Sequence, residues 1–278
     1  MVVEGVMEVE QLRWIHELQE WMRSPGMDAF FKGWANYIDT GYFYGAAIVL
    51  VWYLLDRRVG VRLVYLFYLS LLVSVGLKYG FGVPRPCQVD PSVGLMCLKS
   101  PGFPSTSAQI GTLIFGVVLV ECKRWYYRLP AFVFAVIVYF SRVYLGVHYP
   151  TDILGGIVTG TLLVLVYWKV FPLFERIWKV SAVVFPFVLL GVGYLLPVSL
   201  EYVLDVFFLN VGLAAGLIGY ARFGYGIERR WLQLASVLIG LGVLLGLKAA
   251  FPFLGMLWSF CAGYWGSFLG GRIVARKS

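Results

Sequence analysis

The sequence predicts an all-α protein: a polytopic transmembrane helical bundle of about nine spans, preceded by an N-terminal interfacial amphipathic helix. Three observations predict it. Hydrophobic residues make up 60% of the 278 and charged residues only 14%, against about a quarter charged in soluble chains. Apolar runs such as 41–55, 113–122 and 153–168 are too numerous to bury in one water-facing globule. Basic residues gather between alternate runs, as they do in a chain that crosses a bilayer repeatedly.

Residues 1–37 space Leu12, Ile15, Leu18 and Met22 at helical intervals among charged residues, the pattern of a helix lying in the membrane interface. The stretch is acidic and lacks an uninterrupted apolar core, so it does not read as a signal peptide. His16, on this helix, is expected to be a solvated surface residue. Charge clusters and Gly/Pro breaks then mark candidate spans near 38–55, 61–79, 105–122, 130–145, 151–170, 180–197, 202–219, 232–249 and 253–271. Residues 38–175 form a core bundle. Residues 176–278 add further helices, with Glu201 and Asp205 on the outer side and a glycine-rich last span suited to close helix packing.

Three Lys or Arg residues occur in each of the loops 57–62, 123–128, 169–179, 222–230 and 272–277, fifteen of the 23 in all. Such loops stay cytoplasmic. The N-terminus is therefore placed outside and the C-terminus in the cytoplasm. Segments 78–107 and 141–152 face the periplasm, cell exterior or organelle lumen across a plasma or inner membrane. The same bias explains most of the net charge of +8. No basic stripe with stacking aromatics marks a nucleic-acid partner.

On that outer side, Lys78, Arg85 and Arg142 sit in or beside apolar helix ends, where an ionisable residue is a functional candidate. Lys78 and Arg85 bracket a loop rich in Gly and Pro that lets both meet one multi-oxygen anion. Arg142 adds a planar fork suited to phosphate. Ser105 follows Pro104 at the start of a span, where unpartnered backbone N–H groups form an anion site. His148 and Asp152 lie four apart, with Pro150 suited to a first helical turn. The carboxylate can accept from one ring nitrogen and leave the other free as a nucleophile.

The order K-x6-R-P, then P-S, then S-R-x5-H-x3-D resembles the three-part signature of the type-2 phosphatidic acid phosphatase superfamily. The match covers residues 78–152. The resemblance implies that Lys78, Arg85, Ser105, Thr106 and Arg142 bind the phosphoryl oxygens. It implies that His148 attacks phosphorus to give a phosphohistidine and that Asp152 orients it. It implies no metal and no cofactor, and the outer face offers no ligand cluster beyond His148 and Asp152. The implied partners are membrane lipids and a phosphorylated lipid substrate. The residues do not decide between a monomer and a homo-oligomer.

One position departs from the signature. The middle motif normally ends in a histidine that protonates the leaving group, and here that position is Ser107. Thr106 before it is similar to the variant in sphingosine-phosphate phosphatases. General acid catalysis is worth about 10²–10⁴-fold, and a serine hydroxyl is a poor acid near neutral pH. Three explanations stand: a deliberate histidine-to-serine replacement, a substrate such as a diphosphate whose leaving group needs no acid, or a protein that binds or moves a phosphorylated ligand without turnover. The nine-span layout also resembles glucose-6-phosphatase, so small soluble esters such as sugar phosphates remain an alternative to lipids. A vanadate haloperoxidase, which shares the family's phosphate-type pocket, is disfavoured because those enzymes are soluble and this chain is not. Cys87 and Cys97, in the outward loop between the first two motifs, are expected to pair in an oxidising compartment. Cys122 and Cys261 are expected to be packing residues.

Overall fold

The computed structural model describes residues 2–39, 57–176, 178–196, 200–223 and 261. Among these, the regular structure is helical throughout: α1 Val2–Met22, α2 Pro25–Asp39, α3 Arg57–Phe81, α4 Thr106–Glu121, α5 Trp125–Tyr144, α6 Pro150–Arg176, α7 Trp178–Leu195 and α8 Leu200–Phe223. Segments Arg62–Val89, Trp125–Tyr144 and Pro150–Val170 are long and apolar enough to cross a membrane. Thr106–Glu121, Val183–Leu195 and Val203–Gly216 are shorter apolar helices. The spans predicted near 61–79, 105–122, 130–145, 151–170, 180–197 and 202–219 thus coincide with helices. Those predicted at 38–55, 232–249 and 253–271 lie almost wholly outside the described residues.

The chain divides into two compact units, residues 1–47 with 73–168 and residues 48–72 with 169–278. In the second, α7 and α8 pack on each other, with Phe187 edge-on to Phe207 at 5.4 Å between ring centroids. The first unit holds all three motifs. There α4 packs on α5, and α6 approaches α4 through two glycines. A Cβ at Gly156 would lie 2.6 Å from the Ser105 carbonyl oxygen, and one at Gly160 would lie 2.6 Å from that of Gln109. Glycines four apart let the two backbones touch, which brings the first turn of α6 against that of α4.

The segment between α3 and α4 folds back through Gly82, at φ 64, a one-turn helix Pro86–Val89 and a 3-10 turn Pro91–Val93. The Cys87–Cys97 disulfide closes it, as expected. It rests on the turn that follows α5: Cys87 N–H donates to the Gly146 carbonyl at 3.2 Å and Met96 N–H to that of Leu145 at 3.3 Å. Gly146 has φ 65, and a Cβ there would lie 2.0 Å from the Val93 carbonyl oxygen. Only glycine fits.

α1 and α2 cover the other side of this turn. Ile15 is fully buried with Val93 and Tyr149, while Leu18 and Met22 lie against Phe31, Ala35, Tyr144, Leu145 and Val147. The apolar stripe read as membrane-facing is therefore occupied by protein. Trp14 and Trp21 are the exposed aromatics of α1, at 51% and 82%. His16 is half-exposed as expected, yet it is tied: its Nε2 lies 3.0 Å from Asp90 Oδ2.

Candidate active site

His148 lies in the turn between α5 and α6 and is buried, as are Lys78, Arg85, Ser105, Arg142 and Asp152. Arg85 Nη1 is 3.0 Å from His148 Nε2. A guanidinium can only donate, so Nε2 must be the accepting nitrogen and the ring proton sits on Nδ1. Nδ1–H in turn donates to Asp152 Oδ2 at 3.2 Å. That oxygen also accepts from the Tyr149 N–H at 2.9 Å, which fixes the carboxylate under the ring. Burial first, and then the charges of Arg85, Lys78 and Arg142, hold the His148 pKa well below its usual 6.5, against a smaller opposite effect of the Gly102 carbonyl. The imidazole is neutral, its lone pair directed at a cation.

Arg85 and Lys78 are anchored by backbone oxygens. Arg85 Nε donates to the Ser100 carbonyl at 2.7 Å, Nη2 to Ser100 Oγ at 3.0 Å, and Nη1 also to the Val147 carbonyl at 3.0 Å. Lys78, in the last turn of α3, donates to the Pro101 and Gly102 carbonyls at 3.0 and 2.9 Å. The Gly102 N–H donates to the Val83 carbonyl at 2.7 Å. The first and second motifs are thereby laced together. Arg142, in the last turn of α5, accepts on its carbonyl from the N–H groups of Val147 and His148 at 3.1 and 3.3 Å. Gly102 abuts the pair as well: a Cβ there would lie 3.0 Å from Asp152 Oδ2.

Ser105 caps α4. Its Oγ accepts from the Ala108 N–H at 3.4 Å, and its own N–H donates to the Asp152 carbonyl at 3.0 Å. The second and third motifs thus meet at the starts of two helices. Thr106, expected to face phosphate, shares a 2.6 Å hydrogen bond with Ser74 of α3. Ser107 is buried in the same turn. Among the described residues, no three His, Cys, Asp or Glu side chains are grouped to hold a metal ion.

Sequence reasoning missed Ser100, which holds two donors of Arg85, and Gln88. The Gln88 Oε1 accepts from the Arg85 N–H at 3.0 Å and its Nε2 donates to the Leu98 carbonyl at 2.9 Å. A lone Ser or Gln in a loop carries no spacing signal that could have singled it out.

Residues 59–176 match the family model described as the PAP2 superfamily. Sphingosine-1-phosphate phosphatase 2 of Mus musculus is 33% identical over 162 residues, which is 53% of this chain and 44% of that protein. Undecaprenyl-diphosphatase of Sulfolobus acidocaldarius is 31% identical over 107 residues, 38% of this chain and 52% of that protein. The chain spans about half the length of these curated relatives. Among solved structures, LpxE of Aquifex aeolicus superposes with a TM-score of 0.51 at 25% identity, covering 58% of this chain and 94% of that one.

Proposed function

Because this chain carries a PAP2 superfamily domain, we propose that it is a membrane phosphatase that hydrolyses a lipid diphosphate through a phosphohistidine on His148. The observation that carries the reading is the relay from Arg85 Nη1 through the His148 ring to Asp152, with contacts of 3.0 and 3.2 Å. A phosphoryl group entering between Lys78, Arg85 and Arg142 takes over the Arg85 N–H and releases the Nε2 lone pair. Nε2 then attacks phosphorus, the bond to the leaving oxygen breaks, and Asp152 stabilises the positive charge that develops on the ring. The three cations and the Ser105 hydroxyl hold the phosphoryl oxygens, the preorganised stabilisation that dominates most such reactions. Water hydrolyses the phosphoimidazole and releases phosphate.

Ser107 selects the leaving group. Where the signature has an acid, this chain has a hydroxyl that does not protonate an alkoxide. A departing phosphate, with a second pKa of ~6, leaves without that proton. A lipid monophosphate is the second reading, favoured by the 33% identity to mouse sphingosine-1-phosphate phosphatase 2.

The test is phosphate release by the detergent-solubilised chain from matched long-chain mono- and diphosphates, beside the Ser107→His variant. The diphosphate reading expects turnover of diphosphate by the wild type, and a gain of about 10²–10⁴-fold on the monophosphate alone in the variant. Wild-type preference for the monophosphate supports the second reading. No release from either substrate by either protein, with no acid-labile phosphate on His148, defeats both.

A further inference from the structure

We infer that α1, which lies outside the matched domain, is a working part of this site: Gln11 and Gln19 position the turn that carries His148 and Asp152. The inference rests on the reading of that pair as the reacting pair. α6 begins at Pro150, so Tyr149 occupies its cap position. The Tyr149 ring is buried with Ile15 and Val93 and supplies no short acceptor to the helix end. Asp152 reaches back to the Tyr149 N–H at 2.9 Å, which is one half of a capping box. The other half, an acceptor for the orphaned N–H groups of the first turn, comes from Gln11. Its Oε1 accepts from the Thr151 N–H at 3.1 Å and from the Thr151 hydroxyl at 2.9 Å.

One turn further along α1, Ile15 packs under Tyr149. One turn beyond that, Gln19 is 4% exposed and donates from Nε2 to the Val93 carbonyl at 2.9 Å and the Tyr144 carbonyl at 2.7 Å. Residues four apart share a helix face, so a single stripe grips the turn before His148, after it, and at the disulfide loop beneath it. A buried glutamine bonded to two backbone oxygens from distant segments is a specific tie, whereas a helix merely floating at an interface needs none. The ring–carboxylate and ring–guanidinium contacts depend on where this turn sits, so the strap sets the reactivity of Nε2 without touching substrate.

Gln11→Met keeps the length of the side chain and removes the Oε1 that accepts both bonds, whereas Gln11→Glu keeps an acceptor there. Gln11→Met and Gln19→Leu are expected to lower kcat by about ten- to a hundredfold, the scale of a small misplacement of reacting groups, with KM changed less than about twofold. Gln11→Glu restores most of the loss. A second readout does not need turnover. The chain has two histidines, so in a His16→Asn background the ¹⁵N-histidine NMR spectrum reports His148 alone. Its Nδ1–H tautomer is expected in the parent and a tautomer mixture with Gln11→Met. Unchanged kcat with Gln11→Met overturns the inference, and so does lost activity with the Nδ1–H tautomer intact. A parent that releases no phosphate while the tautomer shifts on Gln11→Met defeats the functional reading and leaves the strap supported.

Discussion

His148 is a base placed where its charged form is disfavoured. Burial and three neighbouring cations hold the ring neutral, and only its Nδ1 face meets a carboxylate. The consequence for activity is an acid limb of kcat/KM, which reports the free protein, lying well below pH 6.5. A profile that bends at 6.5 contradicts this. The consequence for stability has a definite sign. The folded pKa lies below the unfolded one, so under acid conditions the unfolded chain binds more protons. This contribution is complete above the unfolded value and is lost as the pH falls below it, by at most about 1.4 kcal/mol per pH unit. Melting curves from pH 7.5 to 5 should fall more steeply for the wild type than for His148→Gln, and equal slopes refute the assignment. Arg85 is the other decisive residue. Its fork bonds Ser100 twice, Val147 and His148 at once. Lysine keeps the charge and loses the fork. Arg85→Lys is expected to lower kcat/KM about a hundredfold, roughly 2.7 kcal/mol of transition-state stabilisation, and a change under about threefold would make the fork dispensable.

At the scale of elements, the site depends on how closely α4 and α6 approach. The Ser105 N–H bond to the Asp152 carbonyl forms only because Gly156 and Gly160 present no side chains. Alanine at either position meets backbone at 2.6 Å and is expected to cost about 1–3 kcal/mol and to lower kcat, since the two helix starts separate. Gly33, in α2, has nothing within 4 Å of an added Cβ. Gly33→Ala should therefore stabilise by up to about 1 kcal/mol. Thermal unfolding of the three variants in detergent checks the contrast, and equal shifts would break it. These helices and the motif residues were legible because type and spacing coincide: Lys78 seven residues before Arg85, and His148 four before Asp152. The task of α1 was not. An amphipathic stripe reports that one face is covered and not what covers it, so Leu12, Ile15, Leu18 and Met22 fit a membrane surface and a protein surface equally. The distinguishing sign was polar, because Gln11 and Gln19 flank Ile15 on the same stripe. Lipid offers a buried glutamine no fixed partner, but backbone carbonyls do.

For the whole molecule, apolar helices long enough to cross a bilayer make this an integral membrane protein, and the remaining question is which way it faces. Two unrelated properties point to the same answer. Loops with clustered Lys and Arg stay cytoplasmic, and by that rule the segment 78–107 is expected on the opposite side. That segment carries the Cys87–Cys97 disulfide, a bond that persists in oxidising compartments and is rare in the cytosol. Arg13 on α1 is 65% exposed and belongs to the same unit as the disulfide loop. Lys123, also exposed, opens the loop at the far end of α4. A membrane-impermeant maleimide applied to intact cells is expected to label Arg13→Cys at once and Lys123→Cys only after permeabilisation. An impermeant reductant added outside should open the disulfide and lower the melting temperature, since closing a loop of this size is worth about 2–3 kcal/mol. It should also raise KM as the loop beneath Arg85 loosens. The reverse labelling pattern would put Lys78, Arg85 and Arg142 on the cytosolic side. Lipid headgroups would then have to reach them from the inner leaflet, and the charge distribution of the loops would have no account.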